Sequence, residues 1–344
     1  MNPKHMPSKK VTIVDIAQEA GKSISTVSYV INNGPRSVSH STRQKILEIV
    51  QRHSYSPNKI ARSLKRQKSM SVGVVFPEMT NIYFPETLVG ILEVTQNKNY
   101  NIILRNASND EQFQKECIND LIAQGVDGLI IRPVEHSPVP SSLLKSNIPF
   151  VVVDRREGDW KKHASVFVNN KKAIELAVRI LTEAGHSRIA LINGPKDTVS
   201  AVERAEGFGG AVASGGTICW GDYSQQNGYE AMETLLHRHT DITAVVTGST
   251  KITLGALKRL REENKTIPTD ISLVAYGYSK WFSLFSPPIT TIEQPVHEMG
   301  STAAEAILCA IDTQHSLTQT VEESVDPIVV DGMTHLKHHR GGVK

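Results

Sequence analysis

Val11-Thr-Ile-Val-Asp-Ile-Ala-Gln-Glu-Ala-Gly21, continued by Lys22-Ser-Ile-Ser-Thr-Val-Ser-Tyr-Val-Ile31, decides how the amino end of this chain folds. Thr12 and Asp15 have the spacing of a capping box, in which a hydroxyl accepts from a free N–H and an acidic side chain reaches back. Ile13, Ile16, Ala17 and Ala20 follow as an apolar stripe at helical spacing. Gly21 ends that helix, and Ser23 caps the next, whose inward positions are Val27, Val30 and Ile31. Two short helices joined by a tight turn containing glycine form a helix-turn-helix. A third helix is expected from about His40 to His53, capped by Ser39, with Ile46, Leu47 and Val50 closing a small core.

In a helix-turn-helix that reads DNA, the second helix enters the major groove and its early residues face base edges. Those are Ile24 and Ser25, with Tyr29 one turn on. Ser25 suits a hydrogen bond to a base and Ile24 a thymine methyl. Thr12, Ser23, Thr26, Ser28, Asn32, Arg36 and Thr42 suit phosphate oxygens, which fix position without reading sequence.

Charge distribution supports a polyanion partner at this end. The 344 residues carry 38 basic and 35 acidic side chains, a formal +3. Residues 1–70 hold 8 Lys and 5 Arg against only Asp15, Glu19 and Glu48, which is +10. The remaining 274 residues carry 25 basic and 32 acidic groups, which is −7. A basic head on an acidic body is the electrostatic footprint of nucleic-acid binding confined to one end. Hydrophobic residues at 39% fit ordinary globular protein. At this length two or three domains are expected.

The segment Tyr55-Ser-Pro-Asn-Lys-Ile-Ala-Arg-Ser-Leu64-Lys-Arg-Gln-Lys68 is basic and too short to be a stable helix alone. Its composition fits a linker that folds when DNA neutralises Lys59, Arg62, Lys65, Arg66 and Lys68, with Leu64 as an apolar wedge. Together, Val11 to Gly21, Ser25-Thr-Val-Ser28, Tyr55-Ser-Pro-Asn58 and Ala61-Arg-Ser-Leu64, in that order, resemble the LacI/GalR family of bacterial transcription regulators. The resemblance implies a homodimer on pseudo-palindromic operator DNA. It places Ile24, Ser25 and Tyr29 on the major-groove specificity positions. Asn58 falls on a phosphate contact of the hinge, and Ala61, Leu64 and Lys65 on its minor-groove contacts. Tyr29 stands where an arginine is usual in the family. A phenol lacks arginine's bidentate contact to guanine, so the operator is expected to differ there.

From Ser71 the pattern changes to short apolar runs alternating with helical segments. Strands are expected at Ser71–Phe76, Asn101–Leu104, Gly128–Ile131, Phe150–Val153, Arg188–Ile192, Ala244–Val246 and Ser272–Ala275. Helices are expected at Glu86–Asn97, Glu111–Gln124, Lys172–Glu183, Ala201–Ala213, Gln225–Leu236 and Thr250–Glu262. Near-continuous apolar strands separated by helices argue for parallel sheets covered on both faces, in two similar α/β lobes. The fold class is thus an all-α helix-turn-helix domain of three helices plus a hinge helix, followed by two α/β lobes. The resemblance makes these lobes periplasmic-binding-protein-like, with crossings near Phe167–Asn170, Thr291–Gln294 and Glu322–Ser324, and a helix Val296–Ala310 returning to the first lobe. The expected boundaries are 9–55 for the DNA-binding domain and 56–70 for the hinge and linker. Residues 71–332 form the effector-binding and dimerisation domain. Its first lobe is about 71–167 with 295–320, and its second about 170–290 with 324–332. A polar basic tail follows at 333–344.

A ligand of open parallel sheets binds outside the carboxyl ends of the strands. By position in the family, effector contacts fall around Phe76–Thr80, Arg132, Asp154, Arg155, Asn193, Arg204, Ser249, Thr250 and Lys251, and on the loop containing Ser279 and Lys280. Ser249-Thr250 and Ser279-Lys280 stand where many members carry carboxylates that would accept from sugar hydroxyls. With Arg132, Arg155, Arg204, Lys251 and Lys280 near strand ends, the expected small-molecule effector is an anionic carbohydrate, a sugar acid or sugar phosphate. A neutral sugar or nucleoside, and a member without a ligand, are the alternatives.

Other function classes find less support. There is no His-Glu-x-x-His, no Gly-x-Ser-x-Gly and no Walker A loop, and the 13 His are scattered, so neither enzyme, metal site nor cofactor is expected. Cys117, Cys219 and Cys309 are too few and too separated for a disulfide framework. No signal-peptide or membrane-spanning run is present, so a cytoplasmic setting is expected. A solute-binding module for uptake would share the lobes but would not need the basic head. Repression is the expected sign of regulation; activation is the alternative, since operator position decides it.

Overall fold

Residues 11–32, 38–55, 68–79, 83–212, 216–277, 280–313 and 322–335 are described by the structure, a computed structural model. The chain divides into two units, 1–69 and 70–344.

In the first unit, α1 (Ile13–Ala20) starts on a complete capping box. Thr12 Oγ1 accepts from Asp15 N at 3.4 Å, and Thr12 N donates to the Asp15 carboxylate at 2.8 Å. Gly21, at φ 64°, supplies the left-handed residue that stops the helix. Ser23 caps α2 (Ile24–Ile31) and Ser39 caps α3 (His40–Arg52). The core is Ile16, Ala17, Ala20, Val27, Val30, Ile46 and Ile49, with Val50 and Ile31 packed against it. Leu47 was expected in this core but is 45% exposed; Ile49 takes that place. Ile46 and Ile49 are three residues apart and share a helix face, whereas Leu47 lies about 100° away from Ile46. Glu19 ties α1 to the end of α3 through Arg52 at 2.8 Å and His53 at 2.6 Å.

The second unit holds two six-stranded sheets. The first lobe is built from β1 (Ser71–Phe76), β2 (Asn101–Asn106), β3 (Gly128–Ile131), β4 (Phe150–Val153), β5 (Ser165–Val168) and β11 (Glu322–Val325). Their order is β11-β5-β4-β3-β1-β2, and every pairing is parallel. Val72, Val74 and Phe76 enter the core beneath α4 (Tyr83–Asn97) and α11 (Val296–Thr313). Val75 enters the opposite core, beneath α5 (Glu111–Ala123) and the short α6 (Ser141–Lys145). That split is the period of two expected of a strand buried on both faces.

The second lobe repeats the plan. Its strands are β6 (Ile189–Ile192), β7 (Thr217–Cys219), β8 (Ala244–Thr247), β9 (Ser272–Gly277), β10 (Thr290–Glu293) and β12 (Ile328–Val330), in the order β12-β10-β9-β8-β6-β7. Helices α7 (Asn170–Glu183) and α8 (Val199–Ala211) belong to one face, and α9 (Gln225–Arg238) and α10 (Thr250–Glu262) to the other. The pairing of β10 with β12 is antiparallel. Among the described residues no helix is long and apolar enough to cross a membrane, and no cluster of three or more metal-ligating side chains occurs.

Several elements differ from their sequence expectation. α4 starts at Tyr83 instead of Glu86, and β5, β7, β10, β11, β12 and α6 were not foreseen as separate elements. Segments read only as crossings carry β5 and β10, because each crossing begins at the end of a paired strand. The third crossing falls between Val325 and Ile328, later than Glu322–Ser324, since all four residues of β11 pair with β5.

Residues 333–335, expected to begin a polar tail, are docked onto the second lobe. Thr334 is fully buried; its Oγ1 accepts from Thr290 N at 2.9 Å and donates to Leu273 O at 2.6 Å. His335 Nδ1 lies 2.7 Å from Thr290 Oγ1. Short polar residues thus satisfy backbone groups at the ends of β9 and β10 that water cannot reach. Thr334→Val keeps the volume but strands one N–H and one C=O, and should cost about 2 kcal/mol, read as a lower urea midpoint. An unchanged midpoint would return 333–335 to the tail.

Candidate ligand cleft and DNA-reading surface

On the first unit, burial of Val27 and Val30 turns the opposite side of α2 outward. Ile24 is 49% and Tyr29 37% exposed, and Ser25 is exposed between them. These three form one accessible row, since Ser25 and Tyr29 are four residues apart and Ile24 precedes them on the first turn. The hydroxyls expected to meet phosphate are partly committed to helix starts. Ser23 Oγ lies 2.8 Å from Ser25 Oγ and 2.9 Å from Thr26 Oγ1, and Ser39 Oγ donates to Thr42 Oγ1 at 2.9 Å. Asn32 Nδ2 reaches back to Ser28 O at 2.7 Å. Thr12 holds the capping box and also donates its hydroxyl proton to Asp15 Oδ2 at 2.7 Å, so in this arrangement it has none left for phosphate. Thr42 Oγ1, which accepts from Ser39, keeps its own proton to donate. Arg36, Asn58, Ala61, Leu64 and Lys65 lie outside the described residues, as does Ser279 of the second unit.

In the second unit, a cleft of about 120 Å³ opens at the carboxyl ends of the strands, between the two lobes. The first lobe contributes Glu78, Tyr83, Asn109, Arg132, Asp154 and Arg155; the second contributes Ser200, Arg204, Tyr223, Ser249, Thr250, Lys251 and Tyr276. The sequence positions Arg132, Asp154, Arg155, Arg204, Ser249, Thr250 and Lys251 are therefore brought together. Phe76, Asn193 and Lys280 are not among the lining residues. Phe76 points into the first-lobe core, edge-on to Phe84 at 4.8 Å. Asn193 is fully buried and donates to Ala201 O at 2.8 Å, fastening the end of β6 to α8. Lys280 pairs instead with Glu86 of α4 at 2.5 Å. In each case a residue at a strand end turned toward a nearer partner, which strand position alone does not reveal.

Arg132 follows β3 on a loop pinned from beneath. Gln114 of α5, buried, accepts from Val134 N at 2.6 Å and donates to Ser137 Oγ at 2.9 Å; Trp160 Nε1 donates to Ser137 O at 2.7 Å. From this loop Arg132 sends both Nε and Nη2 to a single oxygen, Asp154 Oδ2, at 2.8 and 2.7 Å. Asp154 Oδ1 takes no protein hydrogen bond among the described residues. Asp154 sits at φ 68°, a left-handed conformation that few residues other than glycine tolerate. Arg155 meets Glu135 Oε2 at 3.3 Å. Burial, reinforced by the neighbouring Arg132 charge, pushes the Arg155 guanidinium below its ordinary pKa.

Arg204 of α8 is only 5% exposed. Its Nε donates to Asn170 Oδ1 at 3.0 Å, and its Nη1 donates to Tyr223 OH at 3.1 Å and Gly248 O at 2.9 Å. The guanidinium lies 4.6 Å from the Tyr276 ring centroid. No carboxylate lies within ion-pair distance of it among the described residues; the Asp154 charge acts on it from farther away, and the Tyr276 hydroxyl also hydrogen-bonds to it. Burial pushes the Tyr276 phenol up to about 12, and burial likewise holds the Tyr83 phenol well above its ordinary value. Both phenols stay neutral near pH 7 and cannot offset the arginine. Asn170 organises this corner: it also accepts from Tyr276 OH at 2.9 Å and donates to Glu203 Oε2 at 2.9 Å. Four basic residues thus line the cleft against two acidic ones, and its most buried cation, Arg204, is in no direct ion pair: the nearest carboxylate acting on it, Asp154, is already paired with Arg132.

Sequence reasoning missed Tyr83, Tyr223, Tyr276, Asn109 and Ser200 as lining groups. Glu78 lay inside a quoted range and Tyr276 fell between a quoted strand and a quoted loop, but nothing local distinguishes them from core or surface residues.

The family model for periplasmic binding proteins and the sugar-binding domain of the LacI family matches residues 69–327. The model for bacterial regulatory proteins of the lacI family matches residues 12–58. Catabolite control protein A of Priestia megaterium is 30% identical over 324 residues, covering 92% of this chain and 95% of that protein. The HTH-type transcriptional repressor PurR of Klebsiella pneumoniae is 32% identical over 328 residues, with 93% and 95% covered. A lac repressor dimer bound to operator and the anti-inducer ONPF superposes with a TM-score of 0.81 at 26% identity, covering 95% of this chain and all of that one. A LacI family regulator from Enterococcus faecalis V583 with bound ribose gives 0.69 at 27% identity, covering 78% and 99%. With a family model matched in each unit and relatives of 30% and 32% identity aligned over more than nine-tenths of the chain, this chain belongs to the lacI family of bacterial regulatory proteins and is a DNA-binding transcription regulator.

Proposed function

We propose that this regulator is a homodimeric repressor whose affinity for a pseudo-palindromic operator is set by a small anionic carbohydrate, a sugar acid or sugar phosphate, in the interlobe cleft. The observation that carries the ligand class is Arg204, a buried guanidinium in no direct ion pair among the described residues, whose nearest acting carboxylate, Asp154, is held by Arg132. A buried cation that shares its one nearby carboxylate with another arginine is under-compensated until an anion arrives. Arg155, disfavoured by burial and by Arg132, adds to the same demand. Asp154 Oδ1 and the serine and threonine hydroxyls supply acceptors for the hydroxyls of the sugar. Lys280, expected to share this work, is spent on Glu86.

Operator reading is assigned to Ile24, Ser25 and Tyr29 in the major groove. Ser23, Thr26, Ser28, Asn32, Arg36, Thr42 and Asn58 take phosphate, and Ala61, Leu64 and Lys65 form a minor-groove hinge. Homodimer and repressor are supported by the lac repressor dimer on its operator and by the relatives named repressors. Removing residues 1–69 should abolish specific operator binding in a salt-controlled anisotropy titration, because the second unit is acidic overall. Retained specific affinity would sink the DNA-reading assignment. Thermal shift with glucose, gluconate and glucose 6-phosphate tests the ligand class. Stabilisation by glucose alone would refute the anion.

A further inference from the structure

Among the described residues, three ion pairs and one histidine–carboxylate contact run between the two lobes and surround the cleft. Glu78 meets Lys251 Nζ with both oxygens at 3.2 Å, and Glu86 meets Lys280 at 2.5 Å. Arg156 meets Glu203 at 2.6 Å, and His136 lies 3.5 Å from Asp197. Each pair sets a loop or helix start at a strand end of one sheet against its counterpart on the other. Two of them use a lysine of the second lobe and a glutamate of the first.

The Glu78–Lys251 pair is distinctive because both members also line the cleft. We infer that Glu78 and Lys251 form a clasp across the cleft mouth, and that an anionic ligand opens or resets it by taking the Lys251 ammonium from Glu78. The exchange half of this inference rests on the anionic reading above; the clasp itself does not.

The physical grounds are three. The pair is half exposed, with side-chain exposures of 48% and 29%, so it is weak and exchangeable instead of locked. A carboxylate or phosphate oxygen offers the lysine what Glu78 offers, so the exchange conserves the ion pair. A neutral hydroxyl offers less and leaves Glu78 in place, which makes Glu78 a filter on ligand charge. Glu86–Lys280 does not line the cleft, so a ligand bound there has no direct access to it.

The ligand-free test is hydrogen–deuterium exchange of the full chain at the cleft-facing strand ends, residues 128–136 and 244–255. Glu78→Gln and Lys251→Met should each speed exchange there by about two- to fivefold, the scale of an exposed ion pair. The double variant should be no faster than either single one. The swap of Glu78→Lys with Lys251→Glu should restore the wild-type rate, which a merely steric role would not do. Raising the salt of the wild-type protein to 1 M should move it toward the single variants. Wild-type exchange in both single variants would overturn the clasp.

The ligand arm compares glucose with gluconate and glucose 6-phosphate on the wild-type chain by the same readout. The anions should speed exchange at 244–255 relative to glucose, and Glu78→Gln should remove that difference. If the variants behave as stated but the anions act no differently from glucose, the exchange falls; the anionic reading falls with it only where the thermal shift also shows no stabilisation by the anions. The clasp then stands as a salt-sensitive closure of the lobes.

Discussion

Arg204→Met is expected to weaken ligand binding in the cleft by about two orders of magnitude while leaving ligand-free operator affinity close to that of the parent. Two charge-assisted hydrogen bonds from a buried guanidinium to a ligand anion are together worth roughly 3 kcal/mol or more, which is at least a hundredfold in affinity. Methionine fills most of the volume but gives up the donors to Asn170, Tyr223 and Gly248. The second unit should therefore also lose about 2 kcal/mol of stability. The two effects are separable. Titration calorimetry reads the ligand, urea unfolding reads the lobe, and anisotropy without ligand reads the operator. Arg204→Lys keeps the charge but cannot span three acceptors, so it should fall between the two. A response to ligand in Arg204→Met equal to wild type would remove Arg204 from the site.

Gly255→Ala is expected to destabilise the second lobe by about 2–3 kcal/mol, the scale of overpacking in a tight contact. The sign makes this informative, because Gly to Ala in an exposed helix interior ordinarily stabilises by up to about 1 kcal/mol. A Cβ at Gly255 on α10 would lie 1.9 Å from Gln225 O and 2.8 Å from Tyr229 N on α9. Both are backbone atoms and cannot rotate away. Gly228 meets the backbone of Ile252 in the same crossing, so two glycines from the two helices set their approach. The helices would have to separate, and α10 carries Thr250 and Lys251 to the cleft at its first turn. A raised urea midpoint would show that the crossing relaxes more freely than its geometry implies.

Much of the local structure was readable from short stretches. β1, β3, β4 and α10 have the bounds expected from apolar runs and helical spacing, and the Thr12 box, the Gly21 stop and the Ser23 and Ser39 caps are all present. Such features depend on contacts three or four residues apart. β7 and β12 escaped because each has three residues, too few for a period to register. Leu47 and Ile49 show the same limit on a helix: both are apolar, and only the position of α1 and α2 decides which is covered.

The cleft divides differently. Arg132, Asp154, Arg155, Arg204 and Lys251 could be placed near it by position, yet their charges could not be netted. Glu86 is 194 residues from Lys280, and Glu78 is 173 from Lys251. Asn170, read only as part of a crossing, proved to join Arg204, Tyr276 and Glu203. By itself the sequence determined a basic helix-turn-helix head, two parallel α/β lobes and a set of cationic side chains at strand ends, because propensity, periodicity and charge composition are local quantities. Only the tertiary structure decided which cations are already ion-paired and which one is buried with hydrogen bonds but no direct ion pair. Ion pairing and desolvation depend on the distance between atoms, and the apposition of the two lobes sets those distances.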